Sequence, residues 1–172
     1  GEGSNGKSTF VRVLEALCGA EHISHLAIHS LGEDRFAAAE LEGKVLNTYA
    51  DLDRRDLRDT GVFKSLVAGD PIQAQRKFGQ PFKLRSRAML VFSANALPGT
   101  PDTTDAFFRR WIIVPFSQRF KGKDADPNLV AKLTTPGELS GFLNHAVKGL
   151  KRLLERGYFE EPVPVAEALE RY

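Results

Sequence analysis

A glycine-rich segment at the start of the chain constrains its fold more than any other feature. Residues 1–8 read Gly-Glu-Gly-Ser-Asn-Gly-Lys-Ser and match the motif G-x-x-x-x-G-K-[ST] in full. Apolar residues follow at helical spacing from Phe10 to Leu17, and Gly19 is a suitable helix end. In such a loop, backbone N–H groups and the amino terminus of the helix surround phosphate oxygens. The segment therefore predicts a phosphate-binding loop that leads into a helix.

The residue types in this loop suit a nucleoside triphosphate with Mg²⁺. Lys7 can reach the terminal phosphates, and the hydroxyl of Ser8 can ligate the metal. The predicted nucleotide-binding residues are Gly1, Gly3, Ser4, Asn5, Gly6, Lys7, Ser8 and Thr9. The alternative is a glycine-rich turn that precedes a helix and binds nothing. The strand that should lead into the loop would lie before residue 1, so we expect the chain to be a fragment of a longer protein.

Polar residues follow two predicted buried strands. The apolar runs 45–50 and 88–94 end at Asp51 and Asn95. Ligands collect at the carboxyl ends of parallel strands, and a phosphate-binding loop needs a second metal-side acid on a neighbouring strand. Asp51 meets that need, and the amide of Asn95 can fix the attacking water or contact the γ-phosphate. Asp53 can share the role of Asp51, although a loop position is its favoured interpretation, and any of these residues can instead satisfy backbone groups at a strand end.

The alternation of apolar strands with helices favours a three-layer α/β domain with a mainly parallel sheet. Residues 111–116 predict a further buried strand, and residues 139–156 predict a long amphipathic helix. We therefore expect a core over residues 1–120 and a helical carboxyl-terminal region over residues 121–172.

The segment 76–87 has an uneven charge distribution. It contains five cations and no acid, and Phe78 and Phe82 lie between those cations around a turn. The pattern predicts a basic β-hairpin. Cations mixed with aromatic rings are typical of elements that contact the phosphates of single-stranded DNA and stack on its bases. The alternative is a solvated charged face.

Two arginines, Arg109 and Arg110, immediately precede the predicted strand at 111–116. A guanidinium at such a place can stabilise developing phosphate charge. The alternative is that both form surface ion pairs with Asp102 or Asp105.

Composition excludes several other classes of protein. The single cysteine, Cys18, cannot form an internal disulfide, which suits a reducing cytoplasm, and the net charge of +2 is too small to indicate a partner. No stretch approaches the roughly 20 apolar residues that cross a bilayer. His22, His25 and His29 have a spacing that suggests a metal site, but no cysteine or fourth ligand supports it. We expect a cytoplasmic protein without membrane contact.

Further segments match one family in order and type. They are 66–72 (Leu-Val-Ala-Gly-Asp-Pro-Ile) leading to Arg76 and Lys77, 92–98 (Phe-Ser-Ala-Asn-Ala-Leu-Pro), 108–111 (Phe-Arg-Arg-Trp) with 114–116 (Val-Pro-Phe), and the tail segments 141–144 and 149–154. Together with the loop at 1–9, they resemble the superfamily 3 helicase domain at the carboxyl end of phage and plasmid primases, which is related to poxvirus-type primase-helicases.

This resemblance implies an AAA+-like sheet, ATP with Mg²⁺, a homo-oligomeric ring that is commonly hexameric, and translocation along single-stranded DNA. By position, it implies a first nucleotide motif at Lys7 and Ser8, a second at Asp51, a DNA-side motif at Lys77 beside Arg76, a first sensor at Asn95 and an arginine finger at Arg110. Family members often have two adjacent acids at the second motif, whereas Ala50 and Leu52 flank Asp51 here. The identity of the catalytic base is therefore open.

The expected function is that of an ATP-dependent DNA helicase motor from a phage or plasmid replication primase-helicase, with any priming activity upstream. One alternative is a P-loop kinase of a small molecule, which would need a lid and an acceptor pocket. Another is a nucleotide-gated DNA-binding initiator module without unwinding activity.

Overall fold

The computed structural model describes residues 4–160 and 162–172 as a mixed α/β fold. Gly1 and Gly3 of the predicted loop lie outside the described residues. The helices are α1 (Lys7–Cys18), α2 (Ile28–Glu33), α3 (Gly61–Ala68), α4 (Asp105–Phe108), α5 (Leu129–Leu133), α6 (Pro136–Arg156) and α7 (Val163–Glu170). The strands are β1 (Ile23–Ser24), β2 (Leu46–Tyr49), β3 (Ile72–Gln75), β4 (Pro81–Leu84) and β5 (Met89–Phe92).

A small parallel sheet lies at the centre of the fold. Its three strands are ordered β1-β2-β5 among the described residues, and both pairings are parallel. The register aligns Tyr49 with Phe92, so β2 and β5 end level with each other. The predicted parallel arrangement of the two apolar runs is confirmed.

Helices cover both faces of this sheet. Successive side chains of a strand point to opposite faces, so Thr48 and Tyr49 contact different layers. On one face, Thr48 Oγ1 donates to Glu15 Oε1 of α1 at 2.5 Å. On the other, Tyr49 and Phe92 pack against a buried cluster that contains Phe63 of α3 and Phe107 of α4. The sheet is therefore a middle layer.

The predicted basic hairpin is also confirmed. Strands β3 and β4 pair antiparallel, with Ala74 opposite Phe82. One face of the hairpin packs on the core, because Ala74 and Leu84 are only 1% and 5% exposed. On the other face, Gln73 and its cross-strand partner Lys83 are exposed.

The carboxyl-terminal region is helical, as expected. Thr135 caps the amino terminus of helix α6 by accepting from the Glu138 N–H, and the helix ends before Gly157, which has a φ of 80°. Within the described ranges, no helix is long and apolar enough to cross a membrane.

The prediction of a strand at 111–116 is wrong for the described structure, which records no strand there. The ring of Trp111 stacks on Phe63 at 4.9 Å between centroids, and this contact places it in the aromatic cluster under the sheet. Ile112 and Val114 are 62% and 59% exposed, so the apolar run is not buried as predicted. Pro115 also removes a backbone donor from the segment.

Candidate functional site

The side chains of Lys7, Asn95 and Asp51 form one hydrogen-bonded chain. Lys7 Nζ donates to Asn95 Oδ1 at 3.2 Å, and Asn95 Nδ2 donates to Asp51 Oδ1 at 3.1 Å. These residues lie far apart in sequence, on the first helix and after two different strands. The structure therefore brings together the predicted phosphate-contacting lysine, the predicted metal-side acid and the predicted water-positioning amide.

The sheet is what places Asp51 beside Asn95. Beyond the last ladder pair, the Ser93 N–H donates to the Tyr49 carbonyl at 2.9 Å, and the Leu52 N–H donates to the Ser93 carbonyl at 2.8 Å. These bonds hold the two post-strand segments side by side at the carboxyl edge of the sheet, the edge at which α/β proteins bind ligands.

Asp51 has a strained backbone, with a φ of 58°. L-residues disfavour this left-handed region by about 1–2 kcal/mol, although Asp and Asn tolerate it better than most. Such strain is found most often at functional sites, where the surroundings fix an otherwise unfavourable conformation. The conformation turns the chain immediately after β2 and presents the exposed carboxylate beside Asn95.

Asp53 has a local partner instead. Its Oδ1 accepts from the Arg55 N–H at 3.2 Å, an interaction within the loop that follows Asp51. This contact agrees with the favoured interpretation of Asp53 as a loop residue.

Two left-handed residues shape the described part of the glycine-rich loop. Ser4 has a φ of 58°, and Gly6 has a φ of 88° immediately before α1. Asn5 is 7% exposed, and its Nδ2 donates to the Phe116 carbonyl at 3.3 Å. The Phe120 N–H donates to the Ser4 carbonyl at 2.8 Å. The loop is thus held from outside by residues 116–120, a role that the sequence analysis missed.

A cavity of about 1040 Å³ opens beside the loop. The loop and α1 form one wall, residues 115–120 form another, and residues 124–126, α5 and α6 contribute the remainder. Its lining includes the rings of Phe10 and Phe116, whose centroids are 6.0 Å apart, and of Phe142. The volume is at the upper end of the roughly 300–1000 Å³ of small-molecule sites. The cavity thus combines apolar aromatic walls with the glycine-rich loop.

Two residues at the start of α1 and after β2 carry side-chain oxygens of the kind that Mg²⁺ binds. The side chain of Ser8 is exposed in the first turn of α1, and Asp51 is exposed with one oxygen bonded to Asn95. Hydroxyl and carboxylate oxygens are ligands that Mg²⁺ accepts together with phosphate oxygens and water. Ser8 and Asp51 are therefore the residues that would hold it.

Arg110 follows helix α4 rather than preceding a strand, which corrects its predicted setting. Its Nη1 donates to the Ala106 carbonyl of that helix. The alternative interpretation, ion pairs of the two arginines with Asp102 or Asp105, is wrong for the described residues: neither arginine forms such a pair, and Asp102 pairs with Lys64 at 2.7 Å. Arg109 is exposed at the same turn.

The two predicted DNA-contacting residues differ in their surroundings. Arg76 pairs with Glu42, and its guanidinium lies 5.2 Å from the centroid of the Phe82 ring. Lys77 is exposed in the turn of the hairpin, with its Nζ 5.5 Å from the centroid of the Phe78 ring. Lys77 is thus the more available of the two cations.

The three histidines with a metal-like spacing make separate contacts. His22 lies 3.5 Å from Glu21, and His25 Nδ1 lies 3.0 Å from Thr48 Oγ1. His29 Nε2 lies 2.7 Å from the Arg55 carbonyl and therefore donates to it. That bond fixes the loop after Asp51, a positioning role for which the sequence has no signal.

Comparison with known proteins gives a family and a fold. The sequence profile of a family of unknown function (DUF5906) matches residues 1–110. No curated protein matches the chain. Among solved structures, the A form apo structure of the C-terminal region (305–718) of NrS-1 is similar, with a TM-score of 0.59 and 15% sequence identity. The similarity covers 80% of this chain and 32% of that one, so the chain spans about a third of its length.

Proposed function

The chain belongs to the DUF5906 family, and from its own site we propose that it is an ATP-hydrolysing motor of an AAA+-like DNA helicase. The observation that carries the proposal is the hydrogen-bonded chain from Lys7 through Asn95 to Asp51. Each of these residue types has a distinct task in the hydrolysis of a nucleoside triphosphate. The sheet brings Asp51 and Asn95 to one edge, where Lys7 of α1 bonds Asn95.

The proposed reaction is hydrolysis of ATP, in which water attacks the γ-phosphorus and a new P–O bond forms while the bond to the β–γ bridging oxygen breaks. ADP is the leaving group, and the proton of the water leaves with the phosphate product. Lys7 binds the terminal phosphates, and the backbone N–H groups of the loop surround the phosphate oxygens. Ser8 and Asp51 would hold Mg²⁺, which would supply positive charge to neutralise the β- and γ-phosphates. Asn95 accepts from Lys7 and donates to Asp51, so its amide lies between the phosphate-binding lysine and the metal-side acid. From this position the amide can orient the attacking water.

The cavity beside the loop supports a nucleotide rather than phosphate alone. Phe10 and Phe116 offer apolar faces to a base, and the Asn5 bond to Phe116 couples this wall to the loop. Base binding at the cavity and phosphate binding at Lys7 would then be the two ends of one ATP site.

The basic hairpin supports single-stranded DNA as the second ligand. Lys77 is exposed at its turn, and Lys83 is exposed on the face turned away from the core. Cations placed in this way contact phosphates without regard to base sequence, as a translocating motor requires. The similarity of the ordered motifs to superfamily 3 helicases supports a replicative role and a ring of identical subunits.

The test is ATP turnover with and without single-stranded DNA, measured on wild type and Lys7→Ala. We expect DNA to stimulate the wild type, and Lys7→Ala to lose about 10²-fold or more in turnover, as when one charge-stabilising donor is removed. The fold should stay intact, because Lys7 is only partly buried at the first position of α1.

Other outcomes would contradict the proposal in distinguishable ways. Phosphoryl transfer to a small acceptor would indicate a kinase, and DNA binding without turnover would indicate an initiator module. Folded Lys7→Ala with wild-type turnover would remove the nucleotide site itself.

A further inference from the structure

A second hydrogen-bonded chain joins helix α1 to the sheet. Thr48 Oγ1 of β2 donates to Glu15 Oε1 of α1 at 2.5 Å, and His25 Nδ1 lies 3.0 Å from the same hydroxyl. A threonine hydroxyl has one hydrogen to donate. Since that hydrogen goes to the carboxylate, His25 donates its own Nδ1 hydrogen to Thr48. The histidine thus directs the hydroxyl of Thr48 towards Glu15.

The position of His25 is fixed by the residues on both sides of it. Asn47 of β2 is fully buried, and its side chain bonds both backbone groups of Leu26 at 2.9 and 3.0 Å. Ser24 Oγ donates to the side-chain oxygen of the same asparagine at 2.9 Å. These contacts bind the segment around His25 to β2, so its ring is held next to Thr48.

The contact between Glu15 and Thr48 joins the same helix and strand as the site itself does. Residues 7, 11 and 15 are four positions apart, the spacing that repeats on one helix face, and Glu15 lies about 12 Å along the axis from Lys7. Along β2, Thr48 precedes Asp51 by three residues, which is at most about 10 Å of extended chain. Helix α1 is therefore bonded to β2 or its end at two levels, through Glu15 and through the chain from Lys7 to Asp51.

The apolar contacts of α1 do not by themselves set its position along the strand. Val11 and Val13 are buried, but hydrophobic burial has no preferred direction. A hydrogen bond has a preferred length and angle, and Thr48 is only 1% exposed, so water does not compete for its hydroxyl. The bond from Thr48 to Glu15 therefore holds α1 against sliding along β2.

We propose that Glu15 is a positioning residue, which sets through Thr48 the distance between Ser8 at the start of α1 and Asp51 after β2. This inference rests on the proposed function, because Ser8 and Asp51 are the proposed ligands of Mg²⁺. That ion demands near-octahedral geometry with oxygens at about 2.0–2.1 Å. A slide of α1 by about 1 Å would take one of the two oxygens out of reach, and a misplacement of that size can lower a rate by about 10²-fold.

The test measures ATP turnover and the binding of fluorescent N-methylanthraniloyl ATP by the 172-residue chain across a Mg²⁺ titration. Glu15→Ala and Thr48→Val each remove the bond, and valine keeps the shape of threonine. We expect both to lower kcat by about 10- to 100-fold and to raise the Mg²⁺ concentration for half-maximal nucleotide binding by a similar factor. Nucleotide binding without Mg²⁺ should stay unchanged, because Lys7 and the glycine-rich loop move together with α1.

Conservative variants separate the hydrogen bond from the charge. Glu15→Gln and Thr48→Ser should retain wild-type values, since an amide oxygen still accepts and a serine hydroxyl still donates. His25→Ala leaves the bond to Glu15 in place and should have a smaller effect than Glu15→Ala. The double variant of Glu15→Ala with Thr48→Val should lose no more than the more damaged single variant, because both remove the same contact.

Asp102→Asn is the matched control for a loss of stability. It breaks a contact of Lys64 in α3, so it should lower the urea midpoint of unfolding while kcat and the Mg²⁺ dependence stay at wild-type values. If Glu15→Ala likewise changed only the urea midpoint, Glu15 would have a structural role and the inference would be overturned.

The remaining outcomes separate this inference from the proposed function. Equal losses in Glu15→Gln and Glu15→Ala would overturn the inference, because the charge and not the hydrogen bond would then matter. If the wild type binds the nucleotide with Mg²⁺ but does not hydrolyse it, the proposed function fails, and a shifted Mg²⁺ dependence of binding in Glu15→Ala still upholds the inference. Nucleotide binding that ignores Mg²⁺ in the wild type would reject both.

Discussion

The backbone of Asp51 adopts a conformation that most side chains avoid, at the point where β2 ends beside Lys7 and Asn95. An asparagine tolerates the same conformation, so Asp51→Asn removes the charge without adding strain. We expect this variant to lose Mg²⁺-dependent hydrolysis, and Asp53→Asn to retain most of it, because Asp53 bonds only within its own loop. Steady-state turnover across a Mg²⁺ titration measures both.

Asp51→Gly is the matched control for strain. Glycine adopts a φ of 58° without strain, so this variant should be at least as stable as the wild type. It should be as inactive as Asp51→Asn. Greater damage from Asp53→Asn than from Asp51→Asn would show that the metal-side acid has been assigned to the wrong residue.

The residues of the site differ in how far the sequence predicts them. Lys7 belongs to a motif, and Asp51 and Asn95 follow apolar runs, so their meeting at one sheet edge could be predicted from strand order alone. The link from Asn5 to Phe116 could not, because its acceptor is a backbone carbonyl 111 positions away. A carbonyl has the same chemistry in every residue, so no side-chain pattern marks it.

Among the elements, the basic hairpin offers a comparison between two adjacent cations. We expect Lys77→Ala to weaken binding of single-stranded DNA and DNA-stimulated turnover, to leave basal ATP turnover unchanged, and to reduce the salt slope of binding by about one unit. Binding titrations over a range of salt concentrations measure this slope.

Arg76→Ala is the matched comparison for Lys77→Ala, because Arg76 also pairs with Glu42 and lies over Phe82. Part of its charge is already compensated, so its loss should change the salt slope less than the loss of Lys77 does. An unchanged affinity and slope in Lys77→Ala would make the segment a solvated charged face.

A second element-scale contact joins α3 to the loop before α4. The Asp102 carboxylate accepts from Lys64 Nζ at 2.7 Å and from Thr60 Oγ1 at 2.5 Å. These bonds, with those from Thr104, hold the pKa of Asp102 far below its usual range. A carboxyl whose folded pKa is lowered stabilises the fold above its unfolded pKa of about 3.9 and loses this contribution as the pH falls further.

We therefore expect Asp102→Asn to lower the urea midpoint of unfolding at pH 7, and the difference from wild type to shrink below about pH 4. In a Lys64→Ala background, Asp102→Asn should lower the urea midpoint less, because the Lys64 hydrogen bond, which lowers the pKa of Asp102 most, is already gone. A difference that is independent of pH would show that the carboxylate does not carry the contact.

The predictability of elements follows their length and periodicity. Helix α1, strands β2 and β5 and the hairpin have clear patterns and were predicted. Strand β1 has only two residues and was missed, because its pairing with β2, rather than its own composition, makes it a strand. The apolar run at 111–116 was predicted as a strand, but Trp111 packs with Phe63 and the run gains no ladder in the described structure.

At the scale of the whole molecule, Arg110 is expected to act on ATP bound by a neighbouring subunit. Its guanidinium bonds the Ala106 carbonyl of the preceding helix α4, whereas Lys7 bonds Asn95 and Asn95 bonds Asp51. A ring joins unlike faces of successive subunits, so Arg110 of one copy can meet the loop of the next. Since a finger contributes about 10³ to 10⁵ in rate, Arg110→Ala alone should be nearly inactive.

The test mixes Lys7→Ala, which retains Arg110, with Arg110→Ala, which retains Lys7, at a concentration where sedimentation shows assembly. Random exchange makes about a quarter of the interfaces competent, so ATP turnover should recover to about that fraction of wild type. A mixture of Lys7→Ala with Asp51→Asn is the matched control and should stay inactive, because both residues serve the same nucleotide within one subunit. Recovery in the control would mean that Asp51 also acts across the interface. Full turnover by Arg110→Ala alone would transfer the finger role to Arg109, which is exposed at the same turn.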